Sequence, residues 1–189
     1  MMKTQQSGCI INIASRAGTV ATPFLASYCA SKAALIKLTE SIQLDLDKSG
    51  LGDKIQSYCC HPGGVQSGLT RSSSQSLSNI EASRLTLSPG PMDPAVAEAY
   101  PAFAAQRPVW VKSFVTEPRL CGAVCVFLAT GRARHLRGRY IDVEFDVEAY
   151  LRDGVAEEIT EGDLHTLRVI FAAGAQNDGG SARHTHTLD

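Results

Sequence analysis

The chain has 189 residues, 44% of them apolar and 20% charged, with a formal net charge of −1. That is about one domain's worth of sequence, and the composition excludes a disordered, collagenous or disulfide-stapled protein. The balance of 18 basic and 19 acidic residues supplies no global field to attract nucleic acid or an anionic membrane, so neither is an expected partner.

The first predicted element is a strand over Gly8–Ala14. Its β-branched run, bounded by Gly and Ser, is the pattern of a parallel strand buried on both faces. Ser27–Lys48 contains no Gly or Pro and spaces Leu35, Leu38, Ile42 and Leu46 as one helical stripe, with Ser49–Gly50 as the stop. Lys54–Cys60 is a second strand, ended by His61-Pro62-Gly63-Gly64. Strand, helix, strand with a crossover of this length predicts a βαβ unit in a parallel sheet.

From Gln66 to Val109 serines and prolines dominate, which predicts a long loop with a short helix near Asp93–Ala105; a substrate lid and a merely mobile loop are equal readings. A helix follows from Pro118 through Leu128 toward Gly131, then an alternating strand over Arg139–Phe145. Val147–Phe171 is acidic with a helical pattern, and the polar 174–189 reads as a disordered tail. The arginines at 132, 134, 137 and 139, followed by the acids from Asp142 to Asp163, read as a solvated charged face.

The longest apolar stretch, around Cys121–Ala129, falls far short of the roughly 20 residues that span a bilayer. The start runs directly into a strand, leaving no room for a signal peptide, so the cytoplasm is the expected location. The six cysteines read as small buried hydrophobes. Cys121 and Cys125 lack two further ligands at suitable spacing, and no metal is expected.

Tyr28 and Lys32 stand four apart on the predicted helix and so share a face. An ammonium about 5 Å from a phenolate oxygen contributes roughly 3 kcal/mol at an effective dielectric near 20, which makes the pair a candidate acid–base couple. Ser15, at a strand's carboxyl end where open parallel sheets bind ligands, can direct its hydroxyl to the same substrate oxygen. The Tyr-x-x-x-Lys spacing alone is weak evidence; the earlier Ser and the later Pro62-Gly63-Gly64-Val65-x-Ser67 turn make the set specific.

The blocks Gly8-Cys-Ile-Ile-Asn-Ile-Ala-Ser15, Tyr28-Cys-Ala-Ser-Lys-Ala-Ala34 and His61-Pro-Gly-Gly-Val-Gln-Ser67 resemble the carboxy-terminal half of a short-chain dehydrogenase/reductase. Phe127-Leu-Ala-Thr-Gly-Arg-Ala-Arg-His-Leu-Arg-Gly-Arg-Tyr140 is similar to members found in filamentous fungi. The resemblance implies an α/β fold, part of a doubly wound Rossmann-type sheet, with the last three strands present and the nucleotide-binding first half missing. It implies an NAD(P)-dependent oxidoreductase moving a hydride between nicotinamide and a carbonyl or alcohol substrate, in specialised metabolism, with NADP placed ahead of NAD. By the same resemblance Ser15 polarises the carbonyl, Tyr28 transfers the proton, and Lys32 holds the nicotinamide ribose. Pro62, Gly63, Val65 and Ser67 support the nicotinamide, and Asn12 is not the family's helix asparagine. The expected division is 1–150 as the half-domain, with 66–109 its substrate-loop region, 151–173 as a helical extension and 174–189 as tail.

The glycine-rich strand-to-helix turn that receives a pyrophosphate is not found; Gly50-Leu-Gly52 precedes a strand. A second reading therefore stands beside the first: a truncated, catalytically incompetent remnant acting through protein–protein association at the exposed apolar edge of its first strand. Partners are then a small molecule in the first reading and another chain, such as a homo-oligomer, in the second.

Overall fold

The computed structural model describes residues 1–65 and 94–168. A one-turn helix α1 (Met2–Gln5) precedes strand β1 (Gly8–Ile13), and helix α2 (Ala26–Lys48) leads to strand β2 (Ile55–His61). Helices α3 (Pro94–Ala99), α4 (Pro101–Lys112) and α5 (Pro118–Ala129) follow, then strand β3 (Tyr140–Asp142) and helix α6 (Val155–Glu161). Among the described residues the strands form one parallel sheet in the order β1-β2-β3, with Gly8 opposite Ile55 and Cys59 opposite Tyr140. The parallel α/β architecture expected from the sequence is therefore present. None of the described helices is long and apolar enough to cross a membrane.

Central β2 is buried along its whole length, whereas β1 is only half-buried and Ile13 is exposed. This corrects the reading of the first strand as buried on both faces: it lies at the sheet's edge. Its even-numbered residues turn their main-chain groups to β2, as Gly8 N–H to Lys54 O and Ala14 N–H to Cys60 O show. In a parallel ladder that directs the main-chain groups of Cys9, Ile11 and Ile13 outward. The opposite edge is closed, because the His165 carbonyl accepts from Tyr140 N–H at 2.8 Å and Leu167 packs on the cluster of Ala14, Ile36 and Cys59. Residues 163–168 thus run past β3, where a helix was expected to continue.

On one face of the sheet Tyr58, Cys60, Ile141 and Val143 pack against Val124 and Leu128 of α5, with Leu136, Tyr150 and Ile159 completing that core. On the other face α2 supplies Ile36, which meets Ala14 and Cys59. Its buried stripe is Ile36, Thr39, Gln43 and Leu46, not the predicted Leu35, Leu38, Ile42 and Leu46; Leu38 is half in solvent. The reason is hydrogen bonding. Ser57 donates its hydroxyl to Thr39 O at 2.9 Å and its N–H to Gln43 Oε1 at 2.8 Å, while Asn12 Nδ2 donates to Thr39 Oγ1 at 2.9 Å. Buried polar groups with partners outweigh the exposure of one leucine.

The short helix expected near Asp93–Ala105 is two helices that together reach from Pro94 to Lys112. Pro94 and Pro101 each open a helix, where a missing N–H costs nothing, and α4 continues through an internal Pro108. Phe24, in the left-handed region at φ 64°, sets its ring 5.7 Å from Tyr100 and 5.5 Å from Phe103. These contacts dock the two helices over the β1–α2 connection. Residues 66–93 of the expected substrate-loop region, Ser67 among them, and the 174–189 tail lie outside the described residues. The cysteines described are all free: Cys59 and Cys60 are buried, the others half-buried. Burial pushes the Cys121 thiol up to about 11 and raises those of Cys9 and Cys60, so these are neutral thiols filling apolar space.

Candidate active site

The candidate residues gather beyond the carboxyl ends of β1 and β2. Ser15 stands two residues past the end of β1 and caps the short 3-10 turn Arg16–Gly18, its Oγ accepting from Ala17 N–H at 3.2 Å. Gly18 then packs so closely on α2 that an added Cβ would stand 2.8 Å from the Lys32 carbonyl carbon and 2.9 Å from Ala33 N. This contact seats the Ser15 turn against the first turns of α2, where Tyr28 and Lys32 project. Both are half-buried. Lys32 Nζ lies 5.6 Å from the centre of the Tyr28 ring and donates to Ile13 O at 2.8 Å. The structure thereby brings the lysine, the tyrosine and the strand end carrying Ser15 into one cluster.

The turn after β2 is shaped for close backbone approach. Gly63 has φ +83°, and a Cβ there would lie 2.5 Å from the Thr116 methyl carbon, so a side chain is excluded both by conformation and by space. Val65 N–H donates to Gly63 O at 3.0 Å, closing a tight turn, and Thr116 N–H donates to Gly64 O at 3.0 Å. Pro62, Gly63 and Val65 are thus present as a rigid turn.

Behind it lies a charged group that sequence reasoning missed. Arg16 Nη2 donates to Asp142 Oδ2 and to Glu144 Oε2, each at 2.7 Å. Asp142 is buried, which corrects its assignment to a solvated face. Glu144 Oε1 accepts from Gly64 N–H at 3.2 Å and from the Thr116 hydroxyl. His61, Asp142 and Glu144 offer donor atoms within 4.8 Å of one another, but the Arg16 guanidinium already holds the two carboxylates there. Burial keeps the His61 imidazole low, toward its neutral form, against the pull of Asp142. The only signal in the sequence was an arginine next to Ser15; its partners stand 126 and 128 residues away.

The Thr116 hydroxyl, with the Gly64 N–H and Arg16, holds the Glu144 carboxyl below its ordinary value of 4.5 despite partial burial. A carboxyl depressed in the folded state stabilises the fold above that value and loses the contribution as pH falls through the folded one. The same direction holds for Glu40, where Arg168 and Lys37 outweigh burial. Urea midpoints are therefore expected to drop as pH is lowered from about 5 toward 3, and Glu144→Gln should flatten part of that slope.

Residues 1–78 match the family model described as short chain dehydrogenase, and this segment contains Ser15, Tyr28, Lys32 and the Pro62–Val65 turn. Over 66 residues, 35% of this chain, it is 41% identical to 2-(S)-hydroxypropyl-CoM dehydrogenase 3 of Xanthobacter autotrophicus, covering 24% of that relative. A second protein of the same organism, named inactive 2-(S)-hydroxypropyl-CoM dehydrogenase 2, is 39% identical over 66 residues and is covered to 27%. An uncharacterized oxidoreductase of Staphylococcus saprophyticus is 39% identical over 69 residues, 36% of this chain and 27% of that protein. The chain spans about a quarter of the length of these curated relatives.

Among solved structures, it is similar to actinorhodin polyketide ketoreductase with NADPH at TM-score 0.47 and 22% identity, covering 75% of this chain and 48% of that one. It is likewise similar to a short chain dehydrogenase from Mycobacterium paratuberculosis bound to NAD, at TM-score 0.48 and 22% identity, covering 76% and 48%. The sequence matches support an oxidoreductase of the short-chain dehydrogenase kind over the matched segment. That segment lies in the amino-terminal part of this chain, so the expected restriction to a carboxy-terminal half and the fungal likeness gain nothing from it.

Proposed function

We propose that the chain carries the catalytic side of an NAD(P)-dependent oxidoreductase that interconverts a carbonyl and an alcohol. The observation that carries this reading is the Lys32 ammonium, shared between the Tyr28 ring and the carboxyl end of β1 just before Ser15. In this assignment Tyr28 holds the proton given to or taken from the substrate oxygen, and Ser15 donates a hydrogen bond to that oxygen. Lys32, 5.6 Å from the centre of the Tyr28 ring, places a donor beside the proton-transfer group.

The residues present fit the nicotinamide end of a dinucleotide. Thr116 and Phe114 already fill the space beside Gly63 and Gly64, so the group that fits is Lys32, with donor capacity beyond its bond to Ile13 for a ribose hydroxyl. Bound there, the nicotinamide would give or accept a hydride. The described residues contain no glycine-rich strand-to-helix turn for the pyrophosphate, so the fit covers one end of the cofactor, and NADP and NAD are both candidates. Fluorescence titration of the chain with NADPH and with NADH tests the reading: saturable binding at either supports it, and none at millimolar cofactor removes it.

The open edge of β1 favours the second reading, in which the chain works by associating with another. If so, Cys9, Ile11 and Ile13 amides become protected from hydrogen exchange as the protein assembles in size exclusion. Fast exchange at these amides at every concentration would eliminate it.

A further inference from the structure

We propose that Glu144 is a positioning residue that holds the two turns of the candidate active site against each other: one carboxylate oxygen fixes the Gly63–Gly64 turn, and the other, through Arg16, fixes the turn carrying Ser15. This rests on the site assignment above and adds a residue that touches neither substrate nor reacting atoms.

The geometry is a three-way tie. Gly64 is held at both main-chain groups, its N–H by Glu144 Oε1 at 3.2 Å and its carbonyl by Thr116 N–H at 3.0 Å. Thr116 closes the triangle by donating its hydroxyl to the same carboxylate oxygen. The turn cannot slide toward Thr116, because the space beside Gly63 is already filled to within 2.5 Å of where a Cβ would stand. The second oxygen, Oε2, accepts from Arg16 Nη2 at 2.7 Å, and the guanidinium is gripped again by buried Asp142 through Nε at 3.2 Å and Nη2 at 2.7 Å. Asp142 Oδ1 accepts from Glu144 N–H at 3.0 Å, fixing the backbone from which Glu144 reaches out. Charge-assisted, multiply bonded pairs of this kind are directional as well as attractive.

Arg16 is the residue after Ser15, and Gly64 precedes Val65. The tie therefore runs between the hydroxyl proposed to orient the substrate oxygen and the backbone proposed to seat the nicotinamide. Such groups must be held to roughly half an ångström for productive geometry, and displacement by about 1 Å can cost on the order of a hundredfold in rate. Gly18 holds one turn to α2 and Thr116 holds the other at Gly63; the Glu144 carboxylate, through Arg16, is what joins the two turns to each other.

The test compares amide exchange by NMR and NADPH affinity in the full chain and two variants. Glu144→Ala should speed exchange at Gly64 and weaken NADPH binding by about tenfold each. Glu144→Gln keeps an oxygen for Gly64 and Thr116 but cannot pair with Arg16. It should leave Gly64 exchange within about threefold of the parent while the Arg16 Nη2 protons, which bond Glu144 Oε2 in the parent, exchange about tenfold faster. General destabilisation would quicken all amides together, whereas the expected change is confined to Gly64, Val65 and Thr116. Unchanged Gly64 exchange in Glu144→Ala, or equal behaviour of the two variants, overturns the proposal. Should Glu144→Ala fail to fold, the unmutated chain decides: the Gly64 amide must titrate together with the Glu144 carboxyl carbon, followed separately from Asp142 and His61, which with Arg16 face it. Independent titrations refute the tie. If the parent chain binds neither NADPH nor NADH, the functional reading falls while amide exchange still decides the role of Glu144.

Discussion

Replacing Tyr28 by Phe is expected to abolish turnover of a carbonyl substrate, by about 10²–10⁴-fold, the range that a positioned acid or base contributes. The substitution removes one oxygen and keeps the ring that lies 5.6 Å from Lys32 Nζ, so the fold and cofactor affinity should stay within about threefold of the parent. Steady-state rates with NADPH and a panel of ketones, alongside fluorescence titration of the cofactor, separate the two quantities. Parent-like turnover in Tyr28→Phe would end the assignment of Tyr28 as the proton carrier. Affinity falling together with rate would make the phenol a binding group. Because Lys32 also holds Ile13 O, Lys32→Met disturbs both charge and strand end, which makes Tyr28→Phe the cleaner test.

Leu128→Ala should produce the largest loss of stability, about 2–5 kcal/mol for a buried leucine whose site cannot collapse. Leu128 is 1% exposed and belongs to the cluster that joins α5 to the sheet. Against a typical domain stability of about 5–15 kcal/mol this is a large fraction, readable as a shift in the urea midpoint with an unchanged slope. A loss under about 1 kcal/mol would mean that this face of the sheet relaxes around the gap. Tyr28 and Lys32 lie on α2, across the sheet from Leu128, so NADPH affinity measured well below the unfolding transition should hardly move.

Much of this architecture was legible in the sequence, and the failures share a cause. Strand positions, the span of α2 and the neighbourhood of Tyr28 and Lys32 on one helix face follow from local pattern, since each is set by residues within a few turns of one another. The phase of α2 was misread because apolar periodicity ranks leucine above threonine and glutamine. The buried face is chosen instead by Ser57 and Asn12, which need Thr39 and Gln43 as partners. The role of Asp142 and Glu144 was hidden for a related reason. A run of arginines and acids looks like a water-facing stretch, and only tertiary contact delivers Arg16 to them from the far end of the chain. The single short helix expected near Asp93–Ala105 is two helices, because Pro94 and Pro101 each open one and α4 runs on through Pro108 to Lys112.

The sheet has a built-in direction of growth. Among the described residues, with His165 plugging the flank beside Tyr140, the edge open to an added strand is β1, up to Ile13, whose carbonyl Lys32 holds. Two copies that met there would consume each other's vacancy, so such an assembly halts at a pair and has no route to a fibre, whereas losing the His165 plug would give each molecule two sticky sides and allow chains of unlimited length.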